Sequence, residues 1–168
     1  MHAFQPLPID SIEINPFTSI GADWALVTAE CKGKVNAMTI AWGGVGVLWN
    51  KNVAFIFIRD SRYTKELVDG SNTFSITFFG GKEKNALKYF GRVSGREEDK
   101  IQNSGFHVDY HNEIPFIDEG NFVLACKKIA AVKLDSNTFL DETIDAAHYA
   151  DHDYHTMYVG EIVDFLGR

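Results

Sequence analysis

Arg59, Arg62 and Thr64 fall close together in RDSRYTKELVDG (Arg59–Gly70), directly after the apolar run VAFIFI. Thr64 is a good N-cap for a helix over TKELVD, and Glu66 suits its first turn. Two arginines at that point face the positive end of a helix dipole, at a cost of about 0.3–1 kcal/mol each. An anion would reverse the sign. Free backbone N–H groups, a hydroxyl and two guanidinium forks together make a phosphate site. The alternative is that both arginines extend into solvent or pair with Asp60 and Glu66.

A second stretch, NAMTIAWGG (Asn36–Gly44), puts an amide, a hydroxyl and an indole where a core strand would carry only aliphatic residues. Strand alternation would place Asn36, Met38, Ile40 and Trp42 on one side, and Ala37, Thr39 and Ala41 on the other. The Ala-Thr-Ala face lets something flat approach the backbone, and Gly43, Gly44 and Gly46 leave the chain free of side chains. A planar heteroaromatic ligand with a phosphate tail would use such a surface. A barrel bend packed by another subunit or loop would use it equally well.

The elements that must position these residues read mainly as strands. Period-2 and short apolar runs predict them at Trp24–Cys31, Val35–Trp42, Val53–Ile58, Thr73–Phe79, Phe122–Leu134 and His155–Leu166. CKGK (Cys31–Lys34) reads as a hairpin through Gly33. Short helices are expected at Thr64–Asp69, Lys82–Phe90 and Glu97–Asn103, and the acidic segment Ser136–Asp153 as a surface loop with a little helix. Strands that do not alternate with long helices exclude a doubly wound parallel sheet. The expectation is one mainly β domain over residues 1–168, an antiparallel barrel with short helical inserts.

A chain of 168 residues that is 45% hydrophobic can bury a core, and it lacks the ~18 uninterrupted apolar residues of a spanning helix. A net charge of −7 argues against nucleic acid and anionic membrane as partners. MHAFQPLPID has neither basic flank nor apolar h-region, so a cytoplasmic location is expected. Cys31 and Cys126 form no C-x-x-C pair and receive no role. His148, His152 and His155 are spaced as possible metal ligands, but loop placement makes solvated histidines the preferred reading and no metal is assigned. SGREEDK (Ser94–Lys100) reads as helix capping with local charge pairing in preference to an anion site.

The ordered set N-A-M-T-x-x-W (Asn36–Trp42), R-x-x-R-x-T (Arg59–Thr64), F-x-I-T-F-F (Phe74–Phe79), G-R-V-S-G-R-E-E-D-K (Gly91–Lys100) and H-T-M-Y-V-G-E-I (His155–Ile162) resembles the flavin reductase-like family. That family has the FMN-binding split β-barrel, and the matching stretches span about residues 15–166. The resemblance implies non-covalent FMN in a homodimer. Asn36, Ala37, Met38 and Thr39 would flank the isoalloxazine, mostly through the main chain, with Trp42 nearby. Arg59, Arg62 and Thr64 would hold the phosphate, with Lys65 a weaker candidate. His155 would be a positioner. Tyr154 precedes it where the family often has aspartate. The resemblance implies an oxidoreductase that takes hydride from NAD(P)H to flavin and on to an acceptor. The alternative is an FMN-binding electron-transfer protein without an NAD(P)H site, serving a redox protein partner. No G-x-G-x-x-G opens a helix after a strand, which excludes a Rossmann nicotinamide domain.

Overall fold

A computed structural model describes residues 4–168. The strands are β1 (Gln5–Leu7), β2 (Ala25–Cys31), β3 (Lys34–Ile40), β4 (Gly43–Leu48), β5 (Lys51–Arg59), β6 (Thr73–Phe78), β7 (Val108–His111), β8 (Ile114–Ile117), β9 (Phe122–Lys133) and β10 (His155–Gly167). The helices are α1 (Pro16–Ser19), α2 (Tyr63–Gly70), α3 (Lys84–Arg92), α4 (Lys100–Ser104) and α5 (Thr143–His148). Seven strands pair in the order β3-β2-β6-β9-β10-β5-β4, and β1 adds to β10, all antiparallel. β7 and β8 form a separate hairpin.

This topology explains the barrel. The two edge strands, β3 and β4, are consecutive in the chain and joined only by Ala41 and Trp42. The sheet must therefore curl until its edges meet, and the seam between them is bridged by that connection instead of a ladder. The expected mainly β barrel with short helical inserts is what forms.

Alternation along β2 and β3 feeds two cores. Val27, Ala29, Met38 and Ile40 point into the barrel with Ile56, Phe74, Ile76 and Tyr158. Leu26 and Ala37 point outward against Phe79, Leu87, Phe90 and Phe106. Burying Leu87 and Phe90 stabilises the fold by roughly 1.5–3 kcal/mol each, and ties α3 to the back of β3.

Several boundaries differ from the sequence reading. The run Val35–Trp42 is a strand only to Ile40; Ala41 and Trp42 form the bend. Gly43 to Leu48, expected as open chain, is a strand hidden by its glycines. Gly43 has φ +154, and a Cβ there would lie 2.6 Å from the Phe55 carbonyl oxygen, so the tight crossing onto β5 requires glycine. All three two-residue hairpins turn through positive φ, at Lys32–Gly33, Trp49–Asn50 and Asn112–Glu113, the type that matches strand twist. The helix expected at Glu97–Asn103 begins at Lys100 instead, because the Asp99 carboxylate accepts from the Gln102 N–H (3.0 Å) and caps it.

Candidate functional site

The seam carries the site. β5 and β10 pair with His155 opposite Arg59 and Met157 opposite Phe57, so His155, Arg59 and Phe57 share one face near the barrel rim. Trp42 leans over that face from the bend, its ring centroid 5.0 Å from that of His155. With Met38 and Thr39 they enclose a cavity of about 220 Å³. A smaller cavity of about 150 Å³ adjoins it between β3, the start of α2 and the segment after α3. Arg62 lines both.

The open edge of β3 borders the first cavity at Thr39. Because Cys31 and Lys34 close the hairpin as a hydrogen-bonded pair, Val35, Ala37 and Thr39 turn their N–H and C=O groups away from β2, along the sheet edge. These groups have no backbone partner among the described residues. The side chains behave differently. Asn36 is buried and its Nδ2 donates to Thr64 Oγ1 (2.9 Å), while Thr39 Oγ1 donates to the Leu87 carbonyl (2.5 Å). Ala37 packs outward and lines neither cavity with its methyl.

The smaller cavity is built from cations and unsatisfied donors. α2 has Arg62 as its N-cap, without a side-chain cap, so the expected capping by Thr64 is corrected: its hydroxyl is engaged by Asn36. The N–H groups of Tyr63 and Thr64 lack acceptors among the described residues. Arg62 donates to the Gly91 carbonyl (2.9 Å) and Lys100 Nζ to the Phe90 carbonyl (2.9 Å), both at the negative end of α3. Among the described residues neither cation forms an ion pair, and Lys100 is only 2% exposed. Burial, then Arg62, push the Lys100 pKa down to about 8. Burial also lowers that of Arg62, with Asp153 opposing and Arg59 adding to the effect. Two desolvated, mutually repelling cations beside two orphan N–H groups concentrate positive potential that an anion would offset.

The predicted residues therefore divide. Met38, Thr39, Trp42, Arg59 and His155 line the larger cavity; Asn36 and Thr64 line the smaller. Arg59 does not reach the smaller cavity. Its guanidinium donates to the carbonyls of Asp153 (2.8 Å) and His148 (3.1 Å), pinning the segment after β9 against the rim. Lys65 lies outside both and pairs with Asp69 (2.8 Å). Arg96, between α3 and α4, pairs with Glu66 of α2 and not with its neighbours in SGREEDK.

Sequence reasoning missed two participants. Lys100 falls in SGREEDK, expected to serve helix capping and local charge pairing, and nothing there marks it as buried at the first turn of α4. Tyr149 was absorbed into an acidic loop. It is 4% exposed, and its hydroxyl meets His155 Nδ1 at 2.8 Å. Tyr154 points elsewhere, its hydroxyl donating to Asp145 (2.8 Å). The three spaced histidines do not converge: His152 turns to the Tyr154 hydroxyl and His148 meets the edge of Trp42.

Burial and the neighbouring Arg59 bring the His155 pKa down to about 4, against partial opposition from Asp153 and Asp60. The unfolded chain binds this proton near pH 6.5, so stability is full above that value and falls as pH drops towards 4. The loss is on the order of 2 kcal/mol. Urea midpoints measured from pH 7 to 4 should show it, and His155→Gln should flatten that window. An equally steep fall in the variant would assign the effect to carboxylates.

A family model described as the flavin reductase like domain matches residues 17–168. The flavoredoxin of Methanosarcina acetivorans is 27% identical over 94% of this chain and 75% of its own, with a TM-score of 0.65. The FMN-binding domain of a flavin reductases-like enzyme from Shewanella baltica OS155 is 16% identical, covering 99% and 78%, with a TM-score of 0.71. The styrene monooxygenase flavin reductase of Pseudomonas putida S12 is 14% identical, covering 86% and 78%, with a TM-score of 0.63. The last two speak to fold alone. Comparison with curated proteins returned no match. No helix among the described residues is long and apolar enough to cross a membrane.

Proposed function

The chain belongs to the flavin reductase-like family, and from that premise we propose that it binds FMN and works as an NAD(P)H-dependent flavin oxidoreductase. The observation that carries the proposal is the cation-lined site of Arg62, Lys100 and the orphan N–H groups of Tyr63 and Thr64, adjoining the larger cavity. FMN fits this donor set, since a dianionic phosphate would satisfy both orphan donors and offset the repulsion between the two cations. The open edge of β3 would offer ring-edge contacts through the main chain at Ala37 and Thr39, and Met38 and Trp42 would supply apolar contact.

Bound there, FMN would supply hydride and electron transfer, chemistry no side chain of this protein provides. The protein's part is binding, orientation and exclusion of water. His155, neutral at pH 7, offers a hydrogen bond without a full charge. Arg59, itself part of the cavity lining, fixes the segment that leads into His155.

A homodimer is part of the proposal. β4 presents an unpaired edge, with Val47 72%, Trp49 60% and nearby Phe17 87% exposed, an apolar margin that pairing would cover. A second reading, an FMN-dependent electron carrier with no nicotinamide site of its own, draws on the likeness to a flavoredoxin.

An anaerobic visible spectrum with one equivalent of FMN tests both readings. Bleaching of the flavin band by NADH or NADPH at catalytic rates is the expected result. A bound flavin that only dithionite bleaches would replace the reductase with the carrier. A spectrum of free FMN would overturn flavin binding altogether.

A further inference from the structure

We infer that Tyr149 is a positioning residue that locks His155 as the Nε2–H tautomer, so that the wall of the larger cavity presents a neutral N–H donor. The argument is a count of protons. The buried Tyr149 hydroxyl carries one hydrogen, and its one partner among the described residues is His155 Nδ1 at 2.8 Å. Were Nδ1 protonated, it would donate to the phenol oxygen, and the phenol hydrogen would be left buried without an acceptor, at a cost of a lost hydrogen bond. With Nδ1 bare, the phenol donates and both atoms are satisfied. The imidazole proton then sits on Nε2. Among the described residues that nitrogen has no protein partner, and it is not one of their sealed-off unsatisfied atoms. It opens onto the cavity that His155 lines.

The surroundings hold Tyr149 to this task. Its ring stacks on Phe139 (5.3 Å, 7° between planes) and meets Tyr154 at 5.0 Å. The Arg59 guanidinium lies 5.2 Å from its ring centre, and the same guanidinium ties down the carbonyls on either side of it, at His148 and Asp153. The segment Ser136–Asp153 is thus the carrier of a tautomer-setting hydroxyl. The groups acting on the His155 charge are Arg59 and Asp60 from the end of β5 and its turn, Asp153 from the incoming loop, and Tyr149.

The inference relies on the flavin reading only for what the donor would face, and it is testable on the ligand-free protein. Long-range ¹H–¹⁵N spectra of histidine-labelled protein, with His155 identified by loss of its signals in His155→Gln, report the tautomer directly. The expected wild-type spectrum has a bare Nδ1 and a protonated Nε2. In Tyr149→Phe, tautomer averaging is expected, with a titration midpoint raised by roughly half a unit to one unit, because the bond that favoured the neutral ring is gone. A protonated Nδ1 in the wild type would overturn the inference even if the variant fails to fold. An unchanged tautomer and midpoint in a folded Tyr149→Phe would overturn it too. FMN titration of the same samples is a separate reading: absence of flavin binding would leave the tautomer result standing.

Discussion

Arg62→Ala is expected to weaken FMN binding by roughly 10- to 100-fold while riboflavin binding stays within about twofold. The magnitude follows from removing a charge-assisted contact worth about 1.5–3 kcal/mol. Riboflavin lacks the phosphate and so serves as an internal control for damage to the larger cavity, which Arg62 also lines. The control matters because Arg62 also donates to the Gly91 carbonyl at the end of α3 (2.9 Å), and that bond is lost too. Fluorescence titration of both ligands decides the matter. Parallel losses would mean that Arg62 holds the wall and not the phosphate, and the anion assignment would fall.

The contrast with Arg59 sharpens this expectation. Both arginines lie at or just after the end of β5 and look equivalent in RDSR, yet only Arg62 reaches the smaller cavity. β5 still pairs with β10 at Arg59, so its side chain leaves the sheet beside His155. Arg62 has left the ladder and occupies the N-cap position of α2, from which its guanidinium reaches the end of α3.

What was legible in the sequence follows from which constraints are local. Strands β2, β5, β6, β9 and β10 announce themselves by alternation and β-branched residues, because each has a core to face. β4 does not, since its identity comes from pairing with β5 and its glycines erase any pattern. The cation-bearing start of α2 was readable as an electrostatic conflict. Lys100 was not, because its burial arises from α3 and α4 coming together, a contact with no signature in SGREEDK. Tyr149 was invisible for the same reason. Nothing in TIDAAHYADHDYH says that one hydroxyl of an acidic loop will be folded back onto the first residue of β10.

Lys100→Met yields the largest change in stability, and in the direction opposite to most core substitutions. At pH 7 the wild-type protein holds a charged ammonium at 2% exposure next to Arg62, with no counter-ion among the described residues to offset it. Its folded pKa of about 8 lies below the 10.5 of a free lysine, so the cost is complete below pH 8 and disappears as pH rises towards 10.5. A methionine of similar length removes that cost and loses one bond to the Phe90 carbonyl, for which Arg62 Nη2 remains a partner (3.4 Å). The ligand-free variant is expected to be more stable at pH 7 by about 1–3 kcal/mol, with the gap closing between pH 8 and 10.5. FMN affinity should move the other way, falling roughly tenfold at pH 7. The wild-type affinity should decline above pH 8 as Lys100 loses its proton, whereas that of the variant stays flat, since the phosphate is already dianionic there. Urea midpoints and FMN titrations at pH 7 and 10 give both quantities. A variant that is destabilised at pH 7 by the same amount at pH 10 would show Lys100 to be a structural contact. A variant that gains stability and loses affinity would show that the fold keeps a strained cation in place for an anion to use.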